Sequence, residues 1–397
     1  MDILSDDIIG YILSKSSSKN IGKCLIINKK FKQIIETYSW LFDMNFTNMQ
    51  ITDDSLKYFK NTKIINLKNC KQITDNGLAY LKRVQYIDLS FCNLITNKAL
   101  EYLKGIQSIN LTFCFNITNI GLKHLQGVNS INFTFCSQIT DEGLKYLKGV
   151  HNINLFGCNQ ITDKGLKYLK GCHTVELSGC YKITDEGLKY LKGVHNINLS
   201  CCYKITNKGL EYLKGCHAID LGACYKINGD GLNHLKGVHI INLSNCYQIT
   251  DESLKDCLKG VHIINLSNCY QITDIGLKYL HGVNEINLFG CKQITDIGLE
   301  YLKGIHILNI SNCNQITDQG LKYLQGIHTI NIFNCDQITD IGLEYLQGVQ
   351  TINLMNCSKI TDDGLKYLKG VTTINLNGCI NITHIGLKYL KGATIFK

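Results

Sequence analysis

The side chains most able to do chemistry in this chain are cysteine and histidine, twenty and twelve of them. They would suffice for metal binding, for disulfides, or for a nucleophile with its base. Their spacing argues otherwise. His151, His173, His195, His217, His239 and His262 recur once in each of six successive repeats, with His306 and His328 further on, and fifteen cysteines recur likewise, from Cys70 and Cys92 to Cys357 and Cys379. A zinc cluster would need C-x-x-C pairs, which the sequence lacks; the vicinal Cys201 and Cys202 fall on opposite sides of an extended segment. Histidines about 5 Å apart on neighbouring strands could share a metal, but no pair is distinguished from the next by partners that would orient it. No GxxxxGK, no GxGxxG after a strand, no HExxH and no nucleophile elbow occurs. Catalysis needs one supported constellation, whereas these residues come as copies, so they read as structural thiols and surface imidazoles. We expect no catalysis by this chain, no metal site and no cofactor.

The element that must carry these columns is the unit typified by residues 183–204, ITDEGLKYLKGVHNINLSCCYK. It begins at Ile51, Ile73, Ile95, Ile117, Ile139, Ile161, Ile183, Ile205, Ile227, Ile249, Ile272, Ile294, Ile316, Ile338, Ile360 and Ile382. The period is 22 residues, and 23 only between Ile249 and Ile272, where Lys255-Asp256-Cys257-Leu258 replaces the usual Lys-Tyr-Leu. A fixed period in this range means a stacked-repeat solenoid. Within a unit, the alternation Ile197-Asn198-Leu199-Ser200 predicts a half-buried strand. Leu210 and Leu213 then set a short helical spacing, with Asn207 (Asp in most copies) as the expected N-cap and Gly215 as the stop. One unit cannot bury its own Ile, Leu and Val, so stacking must bury them between copies.

The pattern Val194-x-x-Ile197-x-Leu199-x-x-Cys202-x-x-Ile205 resembles the cysteine-containing subclass of the leucine-rich repeat, from Ile51 onwards. The resemblance implies an α/β fold: a leucine-rich-repeat solenoid with a curved parallel sheet on the concave side and short helices on the convex side. Length alone would suggest two or three domains, but a solenoid grows without closing a core, so residues 51–397 are read as one array. The opening MDILSDDIIGYIL has no basic n-region or long apolar h-region, and no stretch is apolar enough to span a bilayer. We therefore expect an intracellular protein, cytoplasmic or nuclear, with reduced thiols and no membrane partner. Abundant Ile, Asn and Lys with no Pro suggest an A+T-rich genome such as that of a large DNA virus or a protist, in which case the cell would be the host's.

Residues 1–40 share nothing with the repeat. Leu4, Asp7, Ile8, Ile9, Ile12 and Leu13 make a short amphipathic helix pattern, followed by Leu25, Ile27, Lys30, Phe31, Ile35 and Trp40. This order resembles an F-box, departing from it at Ser5, where the family usually has Pro, and in the polar loop 15–19. The resemblance implies docking of a Skp1-like adaptor through Leu4, Ile8, Ile9, Ile12, Leu13, Leu25, Ile27 and Trp40, and a cullin beyond it. The other reading is a plain helical cap over the first strand. Residues 41–50, with Leu41, Met44, Phe46 and Met49 at strand spacing, read as a degenerate capping strand.

Stacking turns each repeat position into a column. The column Asn66, Asn110, Asn132, Asn154, Asn198 and onwards, replaced by Asp88, Glu176 and Asp220, is expected to bond amide to amide between strands. Columns of Lys (Lys145, Lys167, Lys189) and Tyr (Tyr146, Tyr168, Tyr190), with a net charge of +9, raise nucleic-acid binding. Asp141, Asp163, Asp185, Glu142 and Glu186 in the same segments make the surface mixed in sign and favour a solvated face. One departure stands out. Phe91, Phe113 and Phe135 precede the cysteine in three successive repeats, with Phe156 one position earlier in the next and Tyr86 and Phe115 nearby. Stacked, they would form an aromatic strip, read as the target-binding site. The last residues, 393–397, stop part-way into a strand, which predicts self-association through that edge.

Together these readings describe a protein-interaction chain. The resemblances imply the substrate-receptor subunit of an SCF-type (cullin-RING) ubiquitin ligase holding an unidentified target; the alternatives are a repeat scaffold without a ubiquitin link and, third, a nucleic-acid or polyanion binder.

Overall fold

The computed structural model describes residues 29–39, 43–255 and 257–397. The adaptor-docking positions Leu4, Ile8, Ile9, Ile12, Leu13, Leu25, Ile27 and Trp40 lie outside them. The chain divides into two compact units at Val194 and His195.

In the first unit a helix, Lys29–Tyr38, precedes seven three-residue strands that run from Asp43–Asn45 to Thr174–Glu176. Each described neighbour pairs in parallel and in strict register, so that Ile109 lies beside Ile131 and Ile131 beside Ile153. The middle residue of each strand is buried while its flanks are half-buried or exposed, which is the alternation the sequence shows. The second unit repeats the plan with ten strands, from Asn196–Asn198 to Thr394–Phe396. The solenoid is a leucine-rich-repeat fold, with short helical segments such as Asp185–Leu188 and Lys189–Leu191 returning the chain between strands.

Two side-chain devices tie each repeat to the next. The first corrects the expected cap. The N-cap is the threonine before the Asp or Asn: Thr206 Oγ1 accepts the Lys208 N–H, and Thr162 Oγ1 accepts that of Lys164. The aspartate is left free to bond across repeats, so Asp141 accepts the Thr162 N–H at 2.8 Å and its hydroxyl at 2.6 Å. The glycine two residues after most of these aspartates serves this bond, because a Cβ on Gly187 would overlap Asp163 Oδ1 in the preceding repeat. The second device is the cysteine column. Cys136 Sγ donates to the Leu111 carbonyl at 3.1 Å and Cys158 Sγ to Phe133 at 3.2 Å, each buried. Burial pushes the Cys136 thiol up to about 12.

The Asn column also differs from expectation. Its Oδ1 mostly accepts the N–H two residues later in its own repeat, as Asn154 does from Phe156 and Asn198 from Ser200. Asn110 and Asn242 reach across strands where the neighbour is Asp88 or Asp220. The column thus caps the turn after each strand.

The irregular repeat and the one before it carry a compensated exchange. Gly229 stands where most copies have Asp, and Ser253 stands where most have Gly, its Oγ accepting the Thr250 N–H at 3.0 Å. The carboxylate is gone from one repeat and a hydroxyl fills the space from the other. A pocket of about 430 Å3 opens there, lined by Asn228, Gly229, Asp230, Asn233, Thr250 and Ser253 among others.

Candidate functional site

The residue immediately before the column cysteine, or before Met49 at the head of that column, turns the chain out of the strand through the left-handed region. In the first unit these residues are Asn48, Asn69, Phe91, Phe113, Phe135, Gly157 and Gly179, with φ between +58° and +71°. Glycine adopts this conformation freely, and asparagine tolerates it. For a bulky L-residue it is an outlier costing roughly 1–3 kcal/mol. Asn48 and Asn69 also gain a bond, since Asn69 Nδ2 donates to Asn48 Oδ1 at 2.8 Å.

The three phenylalanines meet the same backbone demand with another chemistry. Phe91 stacks on Phe113 with centroids 4.8 Å apart, and Phe113 on Phe135 at 4.9 Å, the planes within 28° and 25°. Each ring leans over the next repeat. The last one lies across Gly157, where a Cβ would stand 2.6 Å from Phe135 Cδ1, so glycine is required beneath it. Phe156 meets Phe135 edge-on at 4.8 Å, and Phe115 meets Phe113 edge-on at 5.8 Å. Lys68 Nζ sits 5.9 Å from the Phe91 ring centre. Phe91, Phe135 and Phe156 are each 37% exposed and Phe115 49%. Ring stacking is worth about 0.5–1.5 kcal/mol per pair, which does not clearly outweigh the backbone cost. The structure therefore brings five of the six sequence-selected residues into one aromatic strip. Tyr86 is exposed but stands apart, on the strand Tyr86–Asp88.

Other columns are as regular. His195, His217, His239 and His262 form a stack with centroids 4.5–5.2 Å apart, and Tyr203, Tyr225, Tyr247 and Tyr270 another at 5.4–5.7 Å with planes within 8°. Burial first, then the neighbouring imidazoles, hold His217 below its ordinary pKa. Lysines of the helical segments lie against tyrosines, as Lys167 does on Tyr168 at 4.8 Å, or pair with glutamates, as Lys145 does with Glu142. Among the described residues no three metal-ligating side chains converge, and no helix is long and apolar enough to cross a membrane. Two features escaped sequence reasoning: the left-handed backbone under the phenylalanines, and the apolar column Ala218, Ile240 and Ile263 beside the histidine stack. The backbone feature had a signal in the Asn and Gly of the other copies, whereas the apolar column passes for ordinary variation at a strand start.

The repeats are recognised independently. The profile described as Leucine Rich repeat matches residues 153–170 and 305–324. No curated protein sequence matches the chain. Solved structures alike in fold include yeast Rad7 in its complex with Elc1, at TM-score 0.51 and 15% identity over 98% of this chain and 90% of that one. A leucine-rich-repeat protein of Leptospira interrogans aligns at 0.56 and 15% over 90% and 95%. TLR13 in its complex with ssRNA13 aligns at 0.57 and 14% over 89% of this chain and 62% of that one. At such identities the likeness concerns the fold.

Proposed function

We propose that this chain is the target-holding subunit of an SCF-type ubiquitin ligase, with residues 1–40 docking a Skp1-like adaptor and the repeat array binding a protein through Phe91, Phe113, Phe115, Phe135 and Phe156. The observation that carries the binding half is the aromatic strip, half-exposed and set on a backbone that Asn or Gly would suit better. Strain kept at an exposed site points to use, and exposed aromatics are the usual anchors of protein interfaces. Yeast Rad7, a fold neighbour across nearly the whole chain, is likewise seen bound to a second protein, Elc1. The adaptor half rests on the pattern Leu4, Ile8, Ile9, Ile12 and Leu13.

The test uses the full chain expressed in eukaryotic cells. Ile9→Glu is expected to abolish co-purification of a Skp1-like protein and its cullin while leaving target capture intact; replacing the three stacked phenylalanines by Asn is expected to do the reverse. If the wild-type chain captures no such adaptor while the strip still captures a target, the chain is an interaction scaffold without a ubiquitin link.

A further inference from the structure

The second unit holds a surface of different character. His195, His217, His239 and His262 stand just before successive strands, and their pitch is fixed by the backbone: His217 N–H donates to His195 O at 2.8 Å, and His239 and His262 continue the ladder at 2.9 Å. Three residues before the last three lie Lys214, Lys236 and Lys259, all exposed. Immediately after them comes Ala218 beside Ile240 beside Ile263, in register, with Ile240 38% exposed. An apolar stripe therefore runs beside a row of imidazoles and a row of ammonium groups. In the first unit the same positions hold Gln85, Gln107, Asn129, His151 and His173, the last two stacked, but they are followed by Tyr86, Ser108, Ser130, Asn152 and Thr174, so no aliphatic stripe accompanies the imidazoles there.

We infer that the edge formed by the four stacked histidines and the apolar column Ala218, Ile240 and Ile263 receives an acidic amphipathic helix of a partner protein. This rests on the reading that the array holds a protein. The pitch selects the helix: its residues one turn apart are about 5–6 Å apart, close to the 4.5–5.2 Å of the imidazoles. Same-face residues of an extended strand are roughly 6.6–6.8 Å apart and drift out of step. Leucines on one stripe of the helix would cover Ile240 and its neighbours, and flanking carboxylates would face His and Lys.

The pH dependence follows. Charged groups on the adjoining elements include Glu285 at the next strand start, half-buried Asp220 at the end of the strand after His217, and Glu211 and His234 on helical segments. Asp220 is engaged, accepting the Gly222 N–H and the Asn242 amide. Burial first, then its stacked neighbours, hold the His217 imidazole below its ordinary pKa, so it resists protonation until a carboxylate arrives. Binding then takes up protons, so affinity rises as pH falls.

The probe is a designed peptide of about 18 residues, five turns, with leucines along one stripe and glutamates flanking it, beside a scrambled version of equal charge. Fluorescence anisotropy with the full chain is expected to show binding about tenfold tighter near pH 6 than near pH 7.5. His217→Gln with His239→Gln should erase that difference, and Ile240→Glu should remove binding at both pH values. Equal binding of the scrambled peptide would overturn the proposal, as would pH-independent binding or binding that survives Ile240→Glu. A chain with Phe91, Phe113 and Phe135 changed to Asn should bind the peptide normally, so failure here and failure of the aromatic-strip reading are read separately.

Discussion

Phe91, Phe113 and Phe135 in the first unit and Asn245, Asn268, Asn312 and Asn334 in the second occupy one structural position with nearly one backbone angle, φ between +57° and +63°. The asparagines suit it: Asn268 Nδ2 donates to Asn245 Oδ1 at 3.0 Å and Asn334 Nδ2 to Asn312 Oδ1 at 2.7 Å, building an amide ladder along the array. The phenylalanines replace that ladder with a ring stack and leave apolar surface in water. The fold is satisfied in both places, so folding alone does not explain the rings. What a repeat needs is legible in its majority residue, and what the protein does is more visible where the majority is abandoned at a cost.

The largest expected effects should not distinguish the two regions, since both rest on the same core. Leu155→Ala beside the ring strip and Leu266→Ala beside the amide ladder each empty a fully buried position and should cost about 2–5 kcal/mol in urea unfolding. A much smaller loss at Leu155 would mean that the phenylalanine repeats are loosely packed, and the contrast between rings and amides would lose its footing.

Exchange at the shared position separates the regions. Asn268→Phe should destabilise by about 1–2 kcal/mol, since it imposes a left-handed bulky residue and breaks an amide pair. Phe113→Asn should come within about 1 kcal/mol of wild type, backbone relief offsetting lost stacking. Equal losses in both directions would show that each region is simply fitted to its own residue.

Titration reads what the regions have in common. Thiols such as Cys70, pushed up to about 11, and Cys92, pushed up to about 12, are raised by burial. Unfolded thiols ionise from about pH 8.5, so this stability is whole below that value and is lost as pH rises towards 12. At the acid end, the bonds from the Thr383 hydroxyl and N–H hold Asp362 below the usual carboxylate range. Its contribution is present above about pH 4 and disappears as pH falls through the lowered value. Melting temperature against pH should fall at both ends, steeply on the alkaline side where many thiols act together.

The smallest effect concerns Cys201, half-exposed at the left-handed position with φ +59°, whereas its neighbour Cys202 is buried. Among the described cysteines, iodoacetamide should label Cys201 first in the native chain. Simultaneous labelling of several cysteines would show that the column is open.

The repeat period, the strands, the buried cysteines and five of the six residues selected for the aromatic strip could be read from residue types, because stacking converts spacing directly into neighbourhood. The cap could not. Asp at the first helical position has the chemistry of a capping residue, and that the carboxylate serves the adjacent repeat while Thr caps its own becomes visible only when Asp141 and Thr162 are seen together. The strain beneath Phe113 was hidden for a related reason: backbone sign is written in the Asn and Gly of other copies, not in Phe itself. Ile240 and Ile263 were passed over because a strand start tolerates many residues.

If the ring strip is kept for binding and not for stability, removing the rings should separate the two properties. The decisive experiment is thermal unfolding of the chain with Phe91, Phe113 and Phe135 all changed to Asn, made beside partner capture by the same preparation. An unchanged or higher melting temperature with target capture lost is the expected result. A melting temperature lower by several degrees would contradict it, and so would unchanged stability with capture intact.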